Sequence, residues 1–263
     1  MGGGLKAMQS RFPGRTVYWL VLVFCGLSSF FSLQALDNYF TEQSRLGELN
    51  SKFVFSQQSL DTDIRSFRDM VYRNHVKVVK SEDELAQWYA SRPLLRQSSL
   101  QSLDGRPVFC GEFSRLMINL LQNRGMRARR VYLYESRAAN HVVWEYWHPE
   151  LRKWVFVGSA PVAKFSDVRV TEPLTVDEML RFRPGFYSRY YHFRPGFGLQ
   201  IKNVPYPISY MLDNPYFLEF CIALLMALLS GAGAYLLRWR CSVEELIADE
   251  VVKAPGNAGN AQA

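Results

Sequence analysis

The sequence predicts an α+β domain held between two membrane-spanning helices, and three observations predict it. Two runs, Val17 to Leu36 and Phe217 to Leu237, are almost free of charge, Glu219 being the exception. Each would span about 30 Å as a helix, the thickness of a bilayer's hydrocarbon core. Between them, Phe113, Leu116, Met117, Leu120 and Leu121 recur at helical spacing behind Cys110, and Gly125 supplies a C′ stop. From Ala128 onward the period changes to alternation, so a cysteine-headed helix packs on short antiparallel strands.

The flanks of the apolar runs set an orientation. Lys6, Arg11 and Arg15 precede the first, and Arg238 and Arg240 follow the second. Cationic flanks stay cytoplasmic, so both termini are expected in the cytoplasm and residues 37–214 outside it, in the periplasm of a bacterial inner-membrane protein. A cleavable signal peptide would have a shorter core and an A-x-A-like exit, where this chain has Leu33-Gln-Ala35 after a full span. A lipoprotein signal would want small residues before its cysteine, whereas Phe24 precedes Cys25 in mid-span. The first run therefore reads as a retained anchor. Ala227, Ser230, Gly231, Gly233 and Ala234 let another helix approach the second closely, the first span or a different membrane protein. The resulting division is an N-terminus (1–16), first span (17–36), helical lead-in (37–107), core (108–165), aromatic and Arg-rich membrane-proximal region (166–214), second span (217–237) and tail (238–263). That tail has an acidic amphipathic piece, Val243 to Val252, and then dissolves into a disordered Ala/Gly/Asn/Pro composition.

Within the exported part, Asp37 to Leu60 reads as a helix and linker leading from the membrane. Ile64, Phe67, Val71 and Tyr72 make Asp61–Asn74 an amphipathic helix. Ser81 with Glu84 forms a capping box before Leu85, Trp88 and Tyr89. Arg92 to Pro107 reads as a loop delivering the chain to Cys110. The strands are Ala128 to Glu135, Asn140 to Trp147 and Lys153 to Val157, with a turn over His148–Arg152. A short helix from Val176 to Arg181 starts at Thr175, with Glu178 as its capping partner.

Chemistry concentrates at Cys110. A thiol in the first turn of a helix sits near the positive end of the macrodipole, which favours thiolate. Alone, such a residue reads as a small buried hydrophobe. Yet Cys25 and Cys221 lie in spans and Cys241 at the cytoplasmic edge, so Cys110 is the one exported thiol and has no disulfide partner there. No cysteine pair is spaced for zinc, the four histidines are scattered, and no metal or other cofactor is expected.

Cys110-Gly-Glu-Phe-Ser, Gly125-Met-Arg-Ala-Arg129, His141-Val-Val-Trp-Glu and Trp154-Val-Phe-Val, in this order over residues 108–160, resemble the core of the transglutaminase-like superfamily. The resemblance implies a papain-like Cys-His-Asp arrangement, with Cys110 as nucleophile and His141 as general base. An imidazole about 3–4 Å from the thiol would hold it as an ion pair and protonate the leaving amine. The family's acid follows the Trp-x-x-Val strand, and Gly158 stands there, followed by Ser159. Glu145 shares the face of His141 but lies about 13 Å along the strand, out of reach. Asp167, Asn140 or a backbone carbonyl are the substitutes.

Phe182-Arg-Pro-Gly-Phe186 recurs as Phe193-Arg-Pro-Gly-Phe197, amid Tyr187, Tyr190 and Tyr191. This pattern suits the headgroup layer, or else a stacking platform for sugars or extended peptide. The net charge of +7 and the Arg124, Arg127, Arg129 and Arg130 cluster suit anionic lipids, acidic glycans or an acidic partner face. Nucleic acid is excluded as a partner, since no recognition motif is present. The functional expectation is thiol-dependent amide hydrolysis or acyl transfer on an envelope peptide, protein or glycan. Its rival is a degraded module acting as a binding or scaffold subunit of an envelope complex.

Overall fold

The computed structural model describes residues 12–56, 59–79, 97–135, 138–158, 173–182 and 199–253, with isolated positions between 83 and 90. The chain divides into two compact units, residues 36–218 and the pair of segments 1–35 and 219–263. The segment of the Ser81–Glu84 capping box falls mostly outside the described residues, as do both Phe-Arg-Pro-Gly-Phe copies apart from Phe182.

The smaller unit is built from parts of two long helices, α1 (Phe12–Ser51) and α7 (Pro215–Lys253). Both are long and apolar enough to cross a membrane, and only 11% of each apolar window is buried within the protein. A core helix of a water-soluble protein would hide far more. The small residues do what their size allows. A Cβ on Gly231 would lie 3.7 Å from Cys25 Sγ, one on Gly233 would lie 4.0 Å from Val21 Cγ1, and Cys25 Sγ donates to Ala227 O at 3.4 Å. The two apolar helices of the chain therefore pack on each other. The helix runs on to Lys253 without a break, where the sequence suggested a separate amphipathic piece after Cys241.

In the larger unit α1 continues to Ser51 and is followed by α2 (Leu60–Asn74), β1 (Lys77–Val78), α3 (Ser99–Leu103), β2 (Pro107–Val108) and α4 (Cys110–Asn123). Then come β3 (Ala128–Glu135), β4 (Ala138–His148), β5 (Lys153–Val157), α5 (Val176–Phe182), β6 (Leu199–Asn203) and α6 (Tyr206–Asp213). Among the described residues the main sheet is antiparallel with order β5-β4-β3-β6. The α+β class is thus the observed one, with β6 as an edge strand that the sequence reading did not include.

Strand β4 places one face of the sheet against α4. Trp144 and Tyr146 join Ala128, Val155 and Val157 in a core with Phe113, Leu116, Met117, Leu120 and Leu121 of α4 and with Ile64, Phe67 and Val71 of α2. Gly125, at φ +77°, closes α4 in the left-handed conformation that a glycine adopts without steric cost. The supposed loop before Cys110 contains α3, which Ser98 and Gln101 start with a reciprocal capping box. Helix α5 begins as read from the sequence: Glu178 N donates to Thr175 Oγ1 at 3.1 Å and Thr175 N to Glu178 Oε2 at 2.8 Å.

The arginine cluster does not form a surface patch. Arg124 donates to Asn50 O and Phe53 O and stacks over Phe55. Arg129 pairs with Glu145 over the Trp154 ring, and Arg130 is buried against Asp213. Arg127 alone of the four is exposed.

Candidate functional site

Cys110 is the first residue of α4, and Glu112 reaches back from the N3 position to accept the Phe109 amide at 3.2 Å. The next turn leans on β4: Ser114 Oγ donates to Val142 O at 3.3 Å. A Cβ on Gly111 would lie 3.9 Å from Val142 Cγ2 and 3.9 Å from Arg130 Nη1. The side chains of Val142 and Arg130 therefore face the N-terminal turn of α4.

Successive residues of a strand point to opposite faces. Val142, Trp144 and Tyr146 share the α4 face, so His141, Val143 and Glu145 belong to the other. The register agrees, since His141 is opposite Leu133 and Val142 opposite Tyr132, with an irregularity between Leu133 and Tyr134 absorbing Asn140. Arg130 and Tyr132 lie on the α4 face, and Leu133 is on the far side. The structure brings Cys110 to the strand that carries His141, whose side chain lies on the face of β4 away from that of Val142 and Trp144.

The electrostatics agree with the geometry. Burial pushes the Cys110 thiol up, and the Glu112 carboxylate adds to this. The backbone N–H groups of Val142 and Gly111 and the Arg130 guanidinium oppose it and are outweighed. Burial alone pushes His141 down to about 3. Both shifts favour the uncharged forms over the thiolate–imidazolium pair expected from the sequence. The alternation of β4 turns His141 to the face away from the helix.

Among the described residues β5 pairs with β4 as far as Val157 opposite Trp144. Two positions before that pair on β4, the Val142 carbonyl accepts from Ser114 Oγ, and the Val142 backbone also bonds the Cys110 thiol, one helical turn away.

At the acid position, the Gly158 carbonyl accepts from Arg68 Nη1 at 3.3 Å, and Arg68 is itself buried. Glu145 accepts from Arg129 Nε at 3.0 Å and Nη2 at 2.8 Å, while its other oxygen accepts the Val176 amide at 3.0 Å. It anchors α5 to the sheet. Asp167 and the side chain of Asn140 lie outside the described residues. Among the described residues no three His, Cys, Asp or Glu side chains gather as metal ligands.

A second constellation was not singled out from the sequence. Asp213 of α6 is fully buried and meets Arg130 directly, Arg115 Nε at 3.7 Å and Ser209 Oγ at 2.8 Å. Asn119 Nδ2 donates to Asp213 O at 2.7 Å and to Ser99 Oγ at 2.8 Å. Ser99 N in turn donates to Glu42 Oε1 at 2.6 Å. The sole sequence signal is polar residues at the helical positions of α4 (Arg115, Asn119) where a soluble helix would keep its apolar stripe pure. No family model matches the chain, and no curated protein is significantly similar to it.

Proposed function

We propose that the protein is a two-span envelope membrane protein whose extramembrane α+β domain has a transglutaminase-like order of elements and works as a binding or scaffold module. In this reading the domain faces the periplasm, both termini are cytoplasmic, and a peptide, glycan or partner subunit of an envelope assembly is what it holds. The observation that carries the proposal is that Val142, and not His141, shares the face of β4 that packs on α4, while burial holds the Cys110 thiol in its neutral form. Gly158, with its carbonyl taken by Arg68, gives the same reading a second support.

The enzymatic alternative keeps one observation in its favour: two backbone N–H groups converge on Cys110 and would stabilise developing negative charge. Alkylation of the full chain by iodoacetamide across pH separates the two. The scaffold reading expects the Cys110 rate to keep rising beyond pH 8.5 and to be unchanged in His141→Ala. A rate that plateaus below pH 7 and collapses in His141→Ala would refute it. Cys110→Ala is expected to retain full cellular function on the same reasoning.

A further inference from the structure

A surface helix in water turns its apolar stripe inward and its polar face outward. Helix α6 is built the other way round. Ser209 and Asp213, four residues apart and on one face, are both fully buried. Ile208 and Met211 on the opposite side are 51% and 40% exposed. The same reversal occurs on α1, where Phe40 is 61% exposed and Glu42 is fully buried, its Oε1 accepting the Ser99 and Leu100 amides at 2.6 and 3.1 Å. A polar interior beneath an apolar exterior is the arrangement a lipid-facing segment takes.

These two reversed stretches are tied together. The Tyr39 and Tyr210 hydroxyls are 2.7 Å apart, and the Phe217 ring lies 5.6 Å from that of Tyr39 and 5.8 Å from that of Tyr210. Phe40 stands four residues after Leu36, the last residue of one apolar run, and Asp213 four residues before Phe217, the first of the other. The helical step from Leu36 to Phe40 rises about 6 Å, which is also roughly the depth of one headgroup layer. Tyrosines at this level fit the same layer, since their rings favour the apolar side and their hydroxyls the wet side.

We infer that α6, together with Phe40, is a foot of the domain in the headgroup layer of the bilayer, with Ile208 and Met211 directed into lipid. The inference rests on the two-span reading.

The native full chain in lipid nanodiscs is photolabelled in two arms, with adducts located by mass spectrometry. One arm uses a phospholipid carrying a diazirine at the glycerol end of its acyl chain, and the other a phospholipid carrying it at the acyl terminus. The shallow probe is expected to mark residues 206–213 several-fold more than residues 53–56, where Val54 is 86% exposed. The deep probe is expected to mark the helices around Phe30 and Leu225. Deep adducts with 206–213 labelled no more than 53–56 would overturn the foot and leave the spans standing. Absence of deep adducts would overturn the spanning reading and the foot with it.

Discussion

Replacing Asp213 by Ala tests whether the buried polar network holds the domain together. Arg130 and Arg115 are 3% and 2% exposed, and Asp213 is fully buried. Glu42 also faces Arg115, so the cation stranded by the substitution is Arg130. Removing one partner of a buried pair costs about 3–5 kcal/mol, because the remaining charge has neither water nor a counter-ion. At roughly 2–4 °C per kcal/mol for a domain of this size, Tm should fall by about 6–20 °C. The measurement is thermal unfolding of the full chain in nanodiscs, followed by tryptophan fluorescence. Adding Arg130→Met removes the stranded charge and should recover most of the loss. A shift below about 2 °C for Asp213→Ala, or a double variant worse than the single, would refute the reasoning.

Two further substitutions separate the roles of β4. His141 is buried neutral with its pKa pushed down to about 3, while in the unfolded chain it titrates near 6.5. The unfolded state therefore takes up a proton first, and stability is lost as pH falls below 6.5. By pH 4.5 the loss from this group is roughly 2–3 kcal/mol, and His141→Asn should remove that part of the acid sensitivity; identical acid profiles for the two proteins would contradict it. Val142→His places an imidazole on the Cys110 face and should raise alkylation of the thiol at pH 7 by about tenfold or more, with the thiolate absorbance near 240 nm as a second readout. If His141 were the working base, Val142→His would instead slow the thiol by crowding it.

Much of the architecture was legible because apolar periodicity is a local signal. The helix behind Cys110, the amphipathic α2, the three strands from Ala128 to Val157 and the Thr175–Glu178 cap all follow from residues within a few positions of one another. Helix α3 was legible in principle, since Ser98 and Gln101 are the two ends of a capping box, but serine-rich composition masked it as a loop. Strand β6 is five residues long and pairs with β3 from some seventy positions away, so no local signal separates it from a loop. The Asp213 network was invisible for the same reason: its members come from α1, α3, α4, β3 and α6, and only the fold assembles them. The buried partners of the arginines were not legible, because an alternating strand sends Arg129 and Arg130 to opposite faces and their acids come from distant elements.

That same alternation decides the site. Here His141 stands three before Trp144, and the residue two before it is Val142. Order and spacing along the chain looked nearly complete, yet a shift of one residue in a strand moves a side chain through the sheet. Trp144 is fully buried in the core with α4, so its phase cannot be altered without turning a large apolar side chain out of the interior, and this pins Val142 against the thiol. A single extra residue at the β3–β4 irregularity, where Asn140 is already absorbed, does not change this, because the irregularity lies before His141 and leaves the phase from His141 to Trp144 untouched. The core that holds the sheet to α4 is therefore also what turns the His141 side chain to the other face of β4.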